Sequence, residues 1–559
     1  MGRSCLRTGR RAEGALDTFP RACSHDAMST SALDSTKYDP PPQRPSLRFR
    51  LRVAAGLVAG LRKPDFQAAG VFVQKQFGGR SFPIRWARFI KWTLNQMFVA
   101  IPNALQHATA DKRVSTTPMW LIDTNPLADH PWKDTPGAAL ATEADTAVIG
   151  GGFTGGAMAY HWSRRAPEGR KLVLLEMGDP SSGSSGRNEG LVVMGRYFKT
   201  VRDTVKAHLP AARPDLDDRQ HEQMARQFAA VYCRAAYANA ERIEQTIRSE
   251  GFDCDYAREG WVQSVDAAGQ ASLDESVRLA LELGFKDWTT ITPQEVLERS
   301  GMHVRHNAGL SLAAASWHPA KWVWCLLGAA LRKHTVQLFT RTTVRSVQTA
   351  ADHYEIDTNR GTIRARHVVN ATESYTPKLH RQFHDAILPI QEQAACGDGG
   401  PTTMKPHVGI SGGWFFAGRY GPRVLFGSGG SRLKDDEAGR NHPSRFLSKF
   451  VLGQLHERYG PFRMHLTNEW SGTVGYTPDE YPIVGLIDGR GHYVIAGMCG
   501  SGSGVSFNAA RCVCNRILNV QGEPDDYPEA YFAPSRLLVP KDHPWPQLDP
   551  DMTLSSTLS

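Results

Sequence analysis

The chain lacks several features that would define its class at once. No run of 18 or more apolar residues occurs, so no membrane-spanning helix is predicted. Its nine cysteines form no C-x-x-C pair, and Cys512 and Cys514 have the wrong spacing for a zinc site, so no metal site is predicted. Scattered thiols are typical of a reducing compartment, and we therefore expect a cytoplasmic protein.

Acidic residues are scarce in the first part of the chain. Residues 1–118 hold 19 of the 65 lysines and arginines but only 7 of the 56 acidic residues. The remainder therefore carries 46 basic and 49 acidic residues. Because the net charge of +9 arises in this N-terminal stretch, it is no evidence for a nucleic-acid-binding body, and no nucleic-acid partner is expected.

The N-terminal stretch divides into two predicted parts. Residues 1–47 are rich in Arg, Ser and Pro and are predicted to be a disordered extension. Residues 48–141 are predicted to form a basic helical extension and a linker, with a helix that begins near Trp86 and ends at Pro102. Residues 48–110 could contact an anionic membrane peripherally. The apolar face could instead pack on the protein's own body, which we favour.

A βαβ pattern occupies residues 145–176. A short apolar strand leads directly into Gly-x-Gly-x-x-Gly, a helix, a second apolar strand and a closing acid. The glycines allow a tight turn, close approach of the backbone to a pyrophosphate, and close packing of helix on strand. A glycine-rich turn without a nucleotide is the alternative, but the ordered elements disfavour it. The predicted nucleotide-binding residues are Gly150, Gly152, Phe153, Thr154, Gly155 and Glu176.

A polar loop, Ser184-Ser185-Gly186-Arg187-Asn188-Glu189-Gly190, follows the acid. With this loop the chain resembles the FAD-dependent oxidoreductases of the D-amino-acid oxidase and sarcosine oxidase (DAO) family, particularly γ-glutamylputrescine oxidase-type members. In those proteins a loop similar to S-G-R-N-x-G lies along the flavin and its phosphates. The resemblance implies FAD contacts for Ser185, Gly186, Arg187, Asn188 and Gly190, whereas Glu189 stands where a small residue is common.

The resemblance also bears on how the flavin is held. Some relatives attach it covalently through a histidine in this loop. Arg187 and Asn188 occupy the loop here, so we expect FAD to bind non-covalently. No Arg or Lys follows Glu176 closely, which argues against a cofactor with a ribose 2′-phosphate.

The resemblance spans residues 143–525 and implies an α/β fold (α+β overall). We expect a Rossmann-like FAD-binding domain of glutathione-reductase type, interleaved with an antiparallel-sheet substrate domain. The predicted domain segments are 142–225, 310–376 and 469–525 for FAD, 226–309 and 377–468 for substrate, and 526–559 for a C-terminal tail.

Further cofactor contacts follow from the resemblance. Val344 would meet the adenine through its backbone, and Ala371 and Thr372 would end a strand at the flavin. Glu373 replaces the glycine of the family's A-T-G, and a glutamate is unfavourable there if the backbone needs a positive φ. A second glycine loop before a helix builds an anion site, which would face the flavin N1/O2 edge. Its predicted contact residues are Gly497, Gly500, Ser501, Gly502, Ser503 and Gly504.

Substrate contacts are sought among arginines and tyrosines, because these commonly hold substrate carboxylates. The candidates are Arg419, Tyr420 and Tyr375, with Trp414 as an aromatic wall; a surface arginine or core aromatic is the competing interpretation of each. Asp479 either contacts the cofactor or caps a turn. Cys499 is expected to pack beside the flavin rather than to act as a nucleophile.

The resemblance implies oxidation of a C–N bond in a small-molecule amine or amino acid, by hydride transfer to flavin N5. The acceptor could be O₂ or another molecule, and a basic amphipathic extension would favour a membrane quinone. A tRNA-modifying flavoprotein is a weaker alternative, because the body of the chain is slightly acidic. An NAD-dependent dehydrogenase is disfavoured by the loops at 184–190 and 497–504, and a non-catalytic flavoprotein stays open given Glu189 and Glu373.

Overall fold

A computed structural model describes the chain over residues 44–61, 81–123, 125–127, 139–194, 197–413, 415–428, 439, 441 and 443–549. Most of the stretch predicted to be disordered therefore lies outside the described residues. The same holds for residues 550–559 of the predicted tail.

The α-helices of the described part alternate with strands along much of the chain. They are α1 (Leu47–Gly60), α2 (Phe82–Asn95), α3 (Ile101–Leu105), α4 (Phe153–Arg165), α5 (Phe198–Ala212), α6 (Asp218–Glu250), α7 (Gln270–Glu282), α8 (Pro293–Ser300), α9 (Pro319–Leu331), α10 (Thr376–Leu379), α11 (Arg445–Tyr459), α12 (Gly502–Leu518), α13 (Glu529–Phe532) and α14 (Ser535–Leu538).

The strands are β1 (Ala108–Ser115), β2 (Glu143–Ile149), β3 (Leu172–Leu175), β4 (Leu191–Val192), β5 (Trp261–Ser264), β6 (Thr289–Ile291), β7 (Ala308–Ser311), β8 (Ala315–Ser316), β9 (Val336–Phe339), β10 (Val344–Thr349), β11 (Tyr354–Thr358), β12 (Gly361–Asn370), β13 (Leu388–Gly399), β14 (Gly409–Gly412), β15 (Phe415–Tyr420), β16 (Arg423–Ser428), β17 (Met464–Tyr476), β18 (Ile483–Leu486) and β19 (His492–Ala496).

The parallel sheet contains β19, β12, β2, β3 and β9 in that order, with the β10–β11 hairpin and β18 added at its sides. Successive residues of its strands face opposite cores. Val148 and Leu174 pack with helix residues such as Val323 of α9. Ile149 and Leu175 pack on the other face with Ile356 of β11. Burial on both faces explains why these strands are continuous apolar runs.

The antiparallel sheet has the order β1-β17-β13-β16-β15-β14-β5-β7-β6. Its longest pairing joins β13 and β17, from Leu388 opposite Tyr476 to Gly399 opposite Met464. The two sheets together give the mixed α/β architecture that was predicted.

Several predicted domain boundaries fall inside elements of secondary structure. The boundary at 225/226 falls inside α6, and the boundary at 468/469 falls inside β17. Strand β1, within the predicted linker, pairs in parallel with β17 at the edge of the antiparallel sheet. Because a helix or strand is one hydrogen-bonded unit, the boundaries belong at the ends of these elements. Sequence reasoning missed this because strand pairing between distant segments leaves no local pattern.

The N-terminal helices pack on the body through one face. Trp92 of α2 meets Phe450 of α11 edge-on, with ring centroids 5.7 Å apart. The prediction that Pro102 ends the helix is wrong: a π-turn over Gln96–Ala100 leads directly into α3, which contains the proline. The wider turn provides room for a ring that would clash in a regular helix. Among the described helices, none is long and apolar enough to cross a membrane.

The C-terminal segment is anchored by a buried ion pair. Arg536 of α14 donates from Nε to Asp479 Oδ2 at 2.7 Å and from Nη2 to the Tyr481 carbonyl at 2.6 Å. Asp479 also accepts from the Tyr481 backbone N–H at 3.2 Å, and it is 2% exposed. Asp479 thus holds a turn and the C-terminal segment, in line with the turn-capping alternative.

Replacing Arg536 by methionine would leave the Asp479 carboxylate buried without a cation. We expect Arg536→Met to lower the free energy of unfolding by about 3–5 kcal/mol. Arg278→Met is the matched control, because Arg278 is exposed and lies 3.7 Å from Glu282 on the same helix; its cost should be about 0–0.5 kcal/mol. Thermal and urea unfolding would measure both, and equal midpoints would contradict the anchoring role.

Candidate active site

A cavity of about 600 Å³ lies where the carboxyl ends of the parallel strands meet the antiparallel sheet. This end of a parallel sheet is where such folds bind ligands, and the volume is in the range of small-molecule sites. Its walls come from the turn after β2, the loop 181–191, the start of β10, the end of β12, and strands β13 and β17.

The turn between β2 and α4 is held by close backbone contacts. Gly150 has φ +108°, and a Cβ there would lie 2.5 Å from the Ala371 carbonyl oxygen. A Cβ on Gly155 would lie 1.8 Å from the Gly150 oxygen. Helix α4 begins at Phe153 without an acidic residue in its first turn, and the Phe153 N–H donates to Ser185 Oγ at 2.8 Å. The helix N-terminus is thus suited to an anion such as a diphosphate.

Glu176 lies at the end of β3, inside the cavity. Its carboxylate accepts from the Gly151 N–H at 2.6 Å and from the Gly178 N–H at 2.7 Å. Burial raises the pKa of Glu176, and these two hydrogen bonds oppose the rise. Thr342, Thr343 and Val344 line the adjoining end of the cavity. Glu176 and the start of β10 thus line the same cavity.

The loop 184–190 ties the two sheets together. Ser184 Oγ donates to the Thr473 carbonyl at 2.8 Å, and Arg187 Nη1 donates to the Ser471 carbonyl at 3.1 Å, both in β17. Asn188 closes the loop by accepting from the Gly190 N–H at 2.9 Å. A Cβ on Gly190 would lie 2.5 Å from the Trp120 ring. Arg187 and Asn188 therefore line the cavity, and their side-chain polar atoms form hydrogen bonds with backbone groups.

The second glycine loop joins β19 to α12. Helix α12 begins at Gly502 with no side-chain cap and no acid in its first turn, so its N–H groups are open to an anion. Cys499 adopts φ 51° and is buried, and its thiol donates to the Gly497 carbonyl at 3.3 Å. No disulfide bond joins any of the seven cysteines in the described part of the chain. That Cys499 packs beside the flavin rather than acting as a nucleophile stays a prediction.

Glu373 adopts a left-handed φ of 49°, the conformation that disfavours a glutamate. Its carboxylate accepts from the Gly475 N–H at 2.8 Å and from the Met498 N–H at 2.9 Å. Burial raises the pKa of Glu373 to about 7, against the effect of these hydrogen bonds. The side chain therefore compensates its own backbone strain by joining the ends of β12 and β17 to the loop after β19.

Most predicted cofactor residues come together in the cavity wall. Those that line it are Gly150, Gly152, Phe153, Thr154, Glu176, Ser185, Arg187, Asn188, Val344, Ala371, Thr372, Gly500, Gly502 and Ser503. Those placed behind the wall are Gly155, Gly186, Gly190, Gly497, Ser501 and Gly504. The second group shapes the turns through close packing, as the contacts of Gly155 and Gly190 show.

Of the three predicted substrate contacts, only one lines the cavity. Tyr375 lines the cavity, but Arg419 and Tyr420 do not. Arg419 is 8% exposed and donates to the carbonyls of Pro401 and Met404. It points to the opposite side of β15 from Phe416, which does line the cavity.

Tyr420 instead forms a hydrogen bond with the loop 184–190, beside the cavity. Its hydroxyl donates to the Glu189 carbonyl at 2.7 Å, and burial raises its pKa. Trp414 lies outside the described residues. The predicted carboxylate clamp of Arg419 and Tyr420 is therefore not presented to the cavity.

Sequence reasoning gave no role to several residues of the substrate wall. Glu392 and Gln393 of β13 line the cavity, as do Lys378 and the segment 471–474 of β17. The cavity-facing side of the strand that contains Glu392 depends on the pairing of Glu392 with Gly472, a distant residue. Glu189 had one signal, since it departs from the small residue common at its position.

These features fit a flavin dinucleotide. Two helix N-termini without acidic residues face one cavity, with an acid at the ribose position. A family model described as "FAD dependent oxidoreductase" (DAO) matches residues 145–516. The chain belongs to this family. It is therefore an FAD-dependent oxidoreductase, as the motifs had predicted.

Relatives of the DAO family share the architecture at low identity. A probable oxidoreductase OrdL of Rhizobium meliloti (strain 1021) is 23% identical over 358 residues, which is 61% of this chain and 75% of the relative. The structure of L-amino acid deaminase from Proteus vulgaris is similar with a TM-score of 0.54 at 18% identity, covering 70% of this chain and 94% of that one. L-proline dehydrogenase from P. horikoshii gives 0.55 at 17% identity, with 70% and 97% covered. These likenesses confirm the predicted fold class.

Substitutions of two adjacent glycines of α4 would test the close contact between Gly155 and the Gly150 carbonyl, which shapes the turn after β2. Gly155→Ala would place a Cβ 1.8 Å from the Gly150 oxygen, so the turn must shift. We expect FAD affinity to fall at least about tenfold, or about 1.4 kcal/mol. Gly156→Ala is the control, because its Cβ would be 3.4 Å from Val323. Flavin absorbance per protein during dialysis would measure both, and equal retention would contradict the proposed contact.

Proposed function

We propose that this DAO-family protein oxidises a C–N bond of an amine or amino acid. The observation that carries the proposal is the continuous cavity, which runs from the dinucleotide loops to the underside of the antiparallel sheet. Bound FAD supplies the hydride acceptor. The protein's part is to orient the substrate, with Tyr375 and Phe416 as aromatic walls, and to withdraw it from water. The names of the two structural neighbours, an amino acid deaminase and a proline dehydrogenase, support the C–N assignment.

We further propose that the FAD is bound non-covalently. No histidine is among the described residues that line the cavity. Arg187 and Asn188, at the place where some relatives attach the flavin, are engaged in hydrogen bonds to the backbone. Acid precipitation should therefore leave the yellow colour in the supernatant, as a control that accompanies the reduction experiment.

The proposed reaction predicts that nitrogen-bearing substrates reduce the bound flavin. Purified holoenzyme would be mixed without oxygen with a panel of amines and amino acids, and each would be paired with the alcohol of the same carbon skeleton. We expect bleaching of the flavin by an amine or amino acid and none by its alcohol. Bleaching by the alcohols alone would contradict C–N oxidation. Readmission of air would then separate an oxidase from a dehydrogenase.

A membrane-bound acceptor is favoured by a second observation, the N-terminal apolar face. This name denotes the exposed large apolar side chains of the described residues 47–61 and 81–99: Leu47, Leu51, Val58, Phe82, Ile84, Trp86, Ile90, Leu94 and Val99. Exposed basic residues lie among them, and neither α1 nor α2 contains an acid. Such a face suits an anionic bilayer. A second copy of the chain would bring two basic faces together, which opposes self-association.

Binding to lipid vesicles tests this face. Wild-type protein should sediment with vesicles of phosphatidylcholine and phosphatidylglycerol more strongly than with phosphatidylcholine alone. Trp86→Ser with Ile90→Ser should weaken binding at least about tenfold, since each buried apolar side chain contributes about 1.5–3 kcal/mol. Leu281→Ser with Leu312→Ser is the control, because both leucines are exposed elsewhere on the body. Equal binding by the two variants would contradict the membrane role.

A further inference from the structure

The last residues of β17 have an edge that no strand covers. Strand β1 pairs with β17 only from Met464 to Asn468. Farther along this strand, the Gly475 N–H donates to Oε2 of the Glu373 carboxylate at 2.8 Å. A Cβ on Gly475 would lie 2.9 Å from the same oxygen, so a side chain there would push the carboxylate away. The absence of a side chain at this position therefore lets the carboxylate reach the backbone of β17.

The other oxygen of the same carboxylate holds the second glycine loop, residues 497–501. The Met498 N–H donates to Glu373 Oε1 at 2.9 Å. The Met498 carbonyl in turn accepts from the Ser501 N–H at 2.8 Å, and helix α12 begins at the next residue, Gly502. One side chain is thus connected, through two hydrogen bonds in series, to the start of a helix that faces the cavity.

The segments joined by this carboxylate have strained backbones. Glu373 has φ 49°, and Cys499, which follows Met498, has φ 51°. Left-handed residues other than glycine are costly and persist only where surrounding contacts fix them. The Cys499 N–H donates to the Gly475 carbonyl at 2.9 Å, so the same residue of β17 meets both the loop and the carboxylate. These hydrogen bonds offset the strain and fix the shape of the second glycine loop.

The donors around the Glu373 carboxylate are neutral. No ion pair in the described part of the chain includes Glu373, and its oxygens face the two backbone N–H groups, with Ser374 as a further donor. Backbone N–H groups that converge on one carboxylate form an anion site with strong, charge-assisted hydrogen bonds. Glu373 and Met498 both line the cavity. The site therefore borders the space for the cofactor, and small solutes can reach it from there.

We propose that the N–H groups of Gly475 and Met498 form a carboxylate site, that Glu373 fills this site from within the protein, and that Glu373 is a positioning residue for FAD. The carboxylate fixes the second glycine loop on β17. It thereby aims the N-terminus of α12, which has neither a side-chain cap nor an acid in its first turn, at the cavity. When Glu373 is removed, the ligand class that the site takes is a small monocarboxylate. The inference rests on the proposed non-covalent binding of FAD and does not depend on which substrate is oxidised.

The first experiment removes the carboxylate. We expect Glu373→Ala and Glu373→Gly each to lower FAD affinity at least about tenfold, because the loop loses two charge-assisted hydrogen bonds. Flavin absorbance per protein during dialysis would measure both. Asp255→Ala is the matched control and should retain FAD as the wild type does, because Asp255 is an exposed acid with φ 53° that does not line the cavity. Glycine also removes the backbone strain, so a Glu373→Gly variant that retains FAD as well as the wild type would overturn the proposal.

The second experiment tests the carboxylate site itself. Glu373→Ala lacks a methylene and a carboxylate, which together match acetate. Dialysis and thermal unfolding would be repeated in sodium acetate, and in acetamide with sodium chloride at the same ionic strength. We expect acetate to restore FAD retention and to raise the unfolding midpoint of Glu373→Ala, and acetamide to do neither, because its amide group turns an N–H towards one of the two donors. The wild type, whose site is filled, should respond to neither solute. An equal response of the variant to both solutes would overturn the proposal.

The two experiments separate the failure of the cofactor assignment from the failure of the site. If acid precipitates the wild-type protein with its colour, FAD is covalent and the proposed binding mode fails, while the response of the Glu373→Ala midpoint to acetate still tests the site. If the wild type releases FAD and acetate restores neither retention nor midpoint, the binding mode stands and the carboxylate site fails. Glu373→Gly guards against an alanine variant that does not fold, and propionate, which matches the whole missing side chain, takes the place of acetate for it.

Discussion

At the carboxyl end of the parallel sheet, the backbone of the turn after β2 packs directly on the backbone at the end of β12, with no side chain between them. The shape of this part of the cavity depends on that contact. The carbonyl of Gly150 lies where a Cβ on Gly155 would stand, and the carbonyl of Ala371 lies where a Cβ on Gly150 would stand. Three chain segments can therefore converge on one point. Their convergence aims the N-terminus of α4 at the cavity, where its free N–H groups can meet a diphosphate.

The substrate half is joined to this centre by polar contacts rather than by packing alone. Ser184 and Arg187 donate to carbonyls of β17, and the Trp470 indole of β17 donates back to the Arg187 carbonyl at 2.9 Å. These hydrogen bonds set the separation of the two sheets and hence the height of the cavity. The loop that the resemblance places along the flavin therefore also binds β17, another wall of the cavity.

Charge inside the cavity is compensated unevenly. The Glu373 carboxylate receives two backbone N–H groups, which offset both its burial and its left-handed backbone. The half-buried Glu189 carboxylate has no such donor in the described part of the chain. Departures from local rules are expected at functional sites, where something else supplies the compensation. For Glu373 the fold supplies it through the Gly475 and Met498 N–H groups.

The sequence by itself determined the dinucleotide unit, because strand, glycines, helix and acid are neighbours along the chain and their chemistry is local. The cavity accordingly contains Gly150 and Glu176 as predicted. Only the tertiary structure decided which side of each antiparallel strand lines the cavity. Arg419 turned away from the cavity and Glu392 turned towards it, because strand pairing between distant segments sets the face that a residue presents. A period-two strand pattern carries no information about which of its two faces will be covered.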